Sequence, residues 1–188
     1  MTNKIDNQST TMTLPNLLTI LRIVLTPLFA ICLINNAYKN AFWIFVVAGV
    51  SDGLDGFIAR VFRQKSELGA YLDPIADKLL ISTAFIILAT VKFIPSWLTV
   101  IVIARDILIL FGIALLFITN HNVEIKPSFL SKITTVSQLL TVFAVLLKPY
   151  VSKIGVVHYP LFIAAAIMTV LSGFQYIYKW LKILQNAH

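Results

Sequence analysis

Cysteine occurs once in this chain of 188 residues, histidine three times, and acidic residues only eight times. The single cysteine, Cys32, lies inside an apolar run. That excludes an intrachain disulfide and a metal cluster of thiolates, and leaves Cys32 as a small core or lipid-facing residue. His121 and His158 fall in segments expected on opposite sides of the fold, so they cannot share one metal. Charge of either sign is scarce. Only 12% of residues are charged and 59% are hydrophobic, whereas soluble domains carry about 25% charged residues. A chain this apolar cannot hide its surface from water and requires lipid as solvent. No repeat of fixed period and no low-complexity tract is present.

What the chain has instead is a series of long apolar runs. At roughly 20 residues per membrane-spanning helix, they read as Leu14–Ile34, Ala41–Phe62, Glu67–Val91, Trp97–Thr119, Leu130–Leu147 and Val156–Leu184. The breaks carry turn chemistry, at Asn35-Asn36, Arg63-Gln64-Lys65, Pro95-Ser96, Asn120-His121-Asn122 and Lys148-Pro149. The expected fold is an all-α integral membrane protein of six transmembrane helices, with residues 1–188 forming one domain. Residues 1–13 are polar and lack the basic start, apolar core and small-residue cleavage site of a secretory leader. The first apolar run is therefore expected to remain as a span, with the polar start at the membrane surface.

Net charge is +7, and the cations are distributed unevenly. Lys4, Arg60, Arg63, Lys65, Lys126, Lys132, Lys179 and Lys182 fall on one side, against Lys39, Lys92, Lys148 and Lys153 on the other. The positive-inside rule then places both termini in the cytoplasm, in the cytoplasmic (inner) membrane if the host is bacterial. Basic residues scattered among apolar runs suit anionic lipid headgroups, and no nucleic-acid partner is expected. Trp43, Trp97 and Trp180 fall near span ends, as interfacial anchors do.

Against this background four aspartates stand out: Asp52, Asp55, Asp73 and Asp77. A carboxylate at membrane depth costs roughly 2.5–3.5 kcal/mol on insertion scales, so four close together require cations. Spacings of three and four residues place each pair on one helix face. The short turn between the second and third spans then brings the pairs together at the cytoplasmic boundary. Carboxylates without nearby His or Cys suit hard cations, Mg²⁺ or Mn²⁺, and two divalent ions neutralise four aspartates. A two-metal clamp is the usual device for displacement at phosphorus. Gly53, Gly56, Ala59 and Gly69 leave room for a bulky ligand against the backbone, although glycines alone equally fit close helix packing. Arg60, four residues after Gly56, can address a phosphate.

The run Asp52-Gly53-Leu54-Asp55-Gly56-Phe57-Ile58-Ala59-Arg60, followed by Gly69, Asp73 and Asp77, resembles the signature of the CDP-alcohol phosphatidyltransferases. The match covers all eight signature positions, and the similarity extends along nearly the whole chain. The resemblance implies a six-helix membrane enzyme, usually a homodimer, that transfers a phosphatidyl or similar group from a CDP-linked donor to an alcohol and releases CMP. Its site opens to the cytoplasmic leaflet. By position, Asp52, Asp55 and Asp73 would be metal ligands. Asp77 would bind metal and act as general base on the acceptor hydroxyl. Gly53, Gly56, Ala59, Arg60 and Gly69 would shape the cytidine and diphosphate pocket.

The segment Leu14-Pro15-Asn16-Leu17-Leu18-Thr19-Ile20-Leu21-Arg22 is similar to the opening of two branches of that family, the phosphatidylglycerophosphate synthases and the CMP-forming cardiolipin synthases. Asn16, Thr19 and Arg22 share a helix face and can reach the donor headgroup; a capped helix start with a snorkelling arginine is the plainer reading. Ala104-Arg105-Asp106 resembles the cardiolipin synthase form. The other branch more often has Glu after that Arg and a further Arg where this chain has Ile113. Lys126 to Thr135 also looks like the cardiolipin synthase loop. Arg105 and Lys132 are thus the expected acceptor-binding residues, with Lys126 a weaker candidate, and the acceptor leans to phosphatidylglycerol over glycerol 3-phosphate. Arg105 beside Asp106 equally fits a self-neutralising buried pair, and Lys132 an ordinary positive-inside residue. A transporter would instead distribute its acids over several broken helices, and a non-catalytic scaffold would be expected to lose a metal ligand. Neither pattern is present.

Overall fold

The computed structural model describes residues 14–62, 67–118, 128–148, 150 and 155–185. Within them every regular element is helical: α1 Leu14–Ile34, α2 Tyr38–Phe62, α3 Glu67–Thr90, α4 Ser96–Ile118, α5 Phe129–Leu147 and α6 Gly155–Gln185. Apolar solvent favours this outcome, because a helix satisfies its backbone polar groups within its own segment. Among the described residues, Leu17–Ile34, Phe129–Leu147 and His158–Lys182 are long and apolar enough to cross a membrane, and Lys78–Thr90 is a shorter apolar stretch. Large apolar side chains point outward, among them Leu17, Val24 and Ile31 of α1 and Ile167, Val170 and Phe174 of α6. Apolar exteriors of this kind on the described helices belong in lipid.

The helix ends have identifiable causes. At the end of α1, Asn36 takes a left-handed φ of 57°, with Asn36 N–H bonded to Leu33 O and Ala37 N–H to Cys32 O. This is a Schellman cap. It reverses the chain so tightly that α2 starts at Tyr38 rather than at Ala41. The end of α3 repeats the motif around Lys92, at φ 60°, with Lys92 N–H on Ala89 O and Phe93 N–H on Leu88 O. At the start of α5, Ser128 is the N-cap and its hydroxyl accepts from Ser131 N–H, which fixes where Ser131 and Lys132 stand.

The interior divides along the helix axes. Toward the turns joining α1 to α2 and α3 to α4, the core is aliphatic and aromatic, with Phe29, Phe45, Phe85, Leu88, Leu98 and Val145 buried. Toward the opposite end, where α2 gives way to α3, the buried residues turn polar: Thr19, Arg22, Arg105, Asp106 and Ser172. Between α5 and α6 runs a polar seam. Thr134 Oγ1 donates to Met168 O at 3.0 Å, Gln138 Nε2 donates to Thr169 Oγ1 at 3.1 Å, and His158 Nε2 lies 3.1 Å from Ala144 O. Hydroxyls and amides serve as interhelical glue where lipid supplies no hydrophobic drive between helices.

Trp180 differs from the other two tryptophans. Trp43 and Trp97 are exposed, in keeping with interfacial anchors. Trp180 instead lays its indole on Gly112 of α4, so closely that a Cβ there would sit 1.5 Å from Cζ2. Gly112→Ala is therefore expected to expel the ring and destabilise the protein by about 1–3 kcal/mol. Thermal unfolding in detergent, with tryptophan emission shifting to the red, would check it.

Candidate active site

Asp52 and Asp55 lie in the second half of α2, and Asp73 and Asp77 in the first half of α3. Because the backbone is helical at all four, three- and four-residue spacing does set each pair on one face. The side chains of these aspartates, of Asn16 and of Arg60, and the surroundings of Gly56, Ala59 and Gly69, lie outside the described residues. Lys126 lies outside them altogether.

The described neighbours show what the fold brings to this level. α1 packs along both α2 and α3. The Phe29 ring of α1 meets the Phe45 ring of α2 at a centroid distance of 5.7 Å, which sets the antiparallel register of the two helices. Arg22 precedes Phe29 by two turns and Asp52 follows Phe45 by two turns, at about 3.6 residues per turn. Arg22 therefore stands at the level of Asp52 along the helix axes, and Thr19 continues toward the level of Asp55. Both Thr19 and Arg22 are fully buried. A guanidinium is tolerated in such a place only with anionic or hydrogen-bonding company, and the register brings a carboxylate-bearing position beside it. The snorkelling expected of an Arg near a helix start does not occur here.

Gly53 is exposed, and beyond its own helix no described atom lies within 4 Å of where its Cβ would be. Among the described residues, close helix packing therefore does not explain this glycine, and the space beside it is open. Gly53→Ala is expected to leave stability unchanged or raised by up to about 1 kcal/mol, through the better helix propensity of alanine. If the open space receives the donor, the same change lowers CMP release about tenfold or more. Paired melting and activity measurements on one preparation separate the two effects.

On the far side of α3 is a buried ionic cluster. Lys78, the residue after Asp77, forms an ion pair with Asp106 Oδ1 of α4. The same oxygen accepts from Arg105 Nη1 at 2.7 Å. Arg105 Nη2 donates to Ser131 Oγ of α5 at 2.6 Å and to Ser172 Oγ of α6 at 2.9 Å, and the guanidinium lies over the Tyr176 ring at 5.9 Å. Arg105 and Asp106 are each 4% exposed. The Asp106 carboxylate thus ties α3 to α4, and the Arg105 guanidinium it holds ties α4 to α5 and α6. Arg105, expected from its resemblance to contact an acceptor, has both terminal nitrogens engaged within the protein, as the self-neutralising alternative foresaw. Lys132 is exposed on the first turn of α5, one residue beyond the Ser131 that Arg105 holds.

The Lys78–Asp106 pair is absent from the sequence-derived site. Its signal was two opposite charges inside apolar helices, each in need of a partner at that depth. Ser131 and Ser172 had no such signal, since isolated serines in apolar helices usually bond their own backbone.

Among the described residues no three His, Cys, Asp or Glu side chains converge, and His158 is committed to the α5 backbone. A four-aspartate set on two helix faces suits hard divalent cations by its donor chemistry. Arg22 is buried at the same level along α1.

A family model for CDP-alcohol phosphatidyltransferases matches residues 12–178. The chain is 34% identical over 193 residues to a CMP-forming cardiolipin synthase of Rattus norvegicus, covering 92% of this chain and 63% of that protein. It is 36% identical over 156 residues to the human cardiolipin synthase, covering 73% of this chain and 51% of the relative. A CDP-diacylglycerol–glycerol-3-phosphate 3-phosphatidyltransferase of Pectobacterium atrosepticum is 34% identical over 177 residues, covering 87% and 92%. The chain thus spans half to two thirds of the length of these cardiolipin synthases and nearly all of the bacterial relative.

Proposed function

Because the chain belongs to the CDP-alcohol phosphatidyltransferase family, we propose that it transfers a phosphatidyl group from CDP-diacylglycerol to a glycerol-type alcohol and releases CMP. The acceptor its own residues favour is phosphatidylglycerol, which makes cardiolipin the product. The observation that carries this choice is the Arg105–Asp106 pair. The cluster of Lys78, Asp106 and Arg105 holds two cations and one anion, and both Arg105 terminal nitrogens are occupied. Lys132 is then the cation on α5 free to meet an acceptor phosphate. One exposed cation suits the single charge of a phosphodiester better than the near-double charge of a phosphomonoester.

In this reading Asp52, Asp55, Asp73 and Asp77 hold two divalent cations, Mg²⁺ or Mn²⁺. When bound, such ions polarise the diphosphate and stabilise departing CMP. Gly53, Gly56, Ala59, Arg60 and Gly69 receive the cytidine and diphosphate, and Asn16 and Thr19 of α1 reach the donor headgroup. Asp77 accepts the hydroxyl proton as the acceptor oxygen forms its bond to phosphorus and the bond from phosphorus to the CMP oxygen breaks. A base beside cations works mainly by position, since its intrinsic basicity is low. Arg105 positions rather than binds: by holding Ser131 it fixes the first turn of α5, and with it Lys132. The six helices are six spans with both termini and the site on the cytoplasmic side, in the inner membrane of a bacterial host, and the working unit is a homodimer.

Glycerol 3-phosphate is the second reading, favoured by the near-complete coverage of the bacterial relative that bears that acceptor in its name. Purified protein with CDP-diacylglycerol and Mg²⁺ or Mn²⁺ decides between them. CMP release is expected on adding phosphatidylglycerol, and much less on adding glycerol 3-phosphate. The reverse result overturns the acceptor, and no CMP with either overturns the activity.

A further inference from the structure

At the end of the helices away from the aspartates, the turn between α3 and α4 and the end of α5 enclose an open cavity of about 520 Å³. Its wall is two-natured: Lys92 and Lys148 provide cations, and Phe93, Ile94 and Phe162 provide apolar surface. Lys148 Nζ lies over the Phe93 ring at 5.5 Å, and Lys92 is exposed. No carboxylate occurs in any of the three inter-helix segments at this end; all eight acidic residues fall elsewhere in the sequence. Lys39, exposed on the first turn of α2, adds a further cation at this end, so among the described residues the face is cationic without compensation.

Two further observations fix the depth and the specificity of this feature. Trp43, Trp97, Tyr150 and Tyr159 are all exposed around the same end, and exposed Trp and Tyr gather at the headgroup level of a bilayer. Lys92 occupies the left-handed position of a Schellman cap, where glycine is the unstrained choice. A lysine stands at a backbone site that disfavours it, which is the kind of outlier that points to use.

We infer that this cavity binds the phosphate group of an anionic phospholipid of the leaflet opposite the aspartates. Lys92 and Lys148 pair with the headgroup beside the partly exposed Phe93 ring. The site is separate from transfer chemistry and does not depend on which acceptor is used.

Native mass spectrometry of the detergent-solubilised full chain, titrated with phosphatidylglycerol, tests the inference. The probe also reaches the active site, so the reading is the difference between wild type and Lys92→Gln/Lys148→Gln. The double variant is expected to retain one lipid fewer per chain, with affinity at that site lower by roughly 10- to 30-fold. Phosphatidylcholine shows no such difference, and CMP release in detergent at saturating substrate is unchanged. Lys92→Gly, which relieves the backbone, is expected to melt no lower than wild type and still to bind lipid less tightly. Equal lipid retention by wild type and double variant overturns the proposal. So does displacement of the extra lipid by inorganic phosphate at equal concentration, which would mark a site for free anions.

Discussion

Asp77→Asn is expected to lower CMP release by on the order of 10²–10⁴-fold, the usual contribution of a positioned general base, with further loss if metal binding weakens. Asparagine keeps the shape of the side chain and cannot take a proton. Asp77 lies in α3 next to Lys78, whose ammonium is anchored to Asp106 across the α3–α4 boundary. The helix turn carrying Asp77 is thus held from outside the aspartate set, and the variant should fold. Melting within about 2 °C of wild type, together with the collapse of turnover, is the expected pair of results. Raising Mg²⁺ or Mn²⁺ separates the two roles of this residue. Recovery at high metal assigns the loss to metal affinity, whereas persistent loss assigns it to the missing base. Full activity in the variant would remove Asp77 from both roles.

Asp106→Leu should be the most destabilising single change outside the aspartate set. It removes the carboxylate shared by Lys78 and Arg105 and leaves a guanidinium that is 4% exposed without its anion. Breaking a buried pair from one side costs about 3–5 kcal/mol. The double change Arg105→Met with Asp106→Leu is expected to recover most of that loss, because replacing a whole buried pair with apolar residues is often neutral or stabilising. Lys78 is 25% exposed and can turn its ammonium toward water. Thermal unfolding of the single and double variants in detergent tests the energetics. If Arg105 positions Lys132 through Ser131, the stable double variant also shows a higher KM for the acceptor with the KM for CDP-diacylglycerol unchanged. A uniform fall in kcat with neither KM altered would leave Arg105 a purely structural part.

The sequence made the helices legible because lipid leaves little choice: an uninterrupted apolar run has to be helical to satisfy its own backbone. The ends shifted where left-handed caps formed, since Asn36 and Lys92 adopt backbone angles that no composition pattern announces. The spacing of the aspartates was readable as helix faces, and α2 and α3 are helical at those positions. What could not be read was company at a distance. Lys78 and Asp106 are on different helices, and only the packing of α3 against α4 pairs them. Arg105 illustrates the same limit, because resemblance suggested its role but its partners come from three helices, Asp106 on α4, Ser131 on α5, and Ser172 and Tyr176 on α6. Trp180 fitted the pattern of an interfacial anchor and proved to be packed on Gly112, a contact set by the crossing of α4 and α6.

The polar seam between α5 and α6 has a mechanical consequence. If α6 slid one turn along α5, Gln138 would lose Thr169 and Thr134 would lose Met168 O, in a medium with no water to replace them. The hairpin is a zip with one closed position. Among the described residues, the junctions of α2 with α5 and of α3 with α5 carry no comparable lock, and Phe42 on Phe143 is a greasy contact that can slip. Any breathing wide enough to admit a two-tailed substrate should therefore occur between the α1–α3 half and the α5–α6 hairpin. The Lys78–Asp106 bridge, one residue from Asp77, would serve as the pivot about which the halves rock.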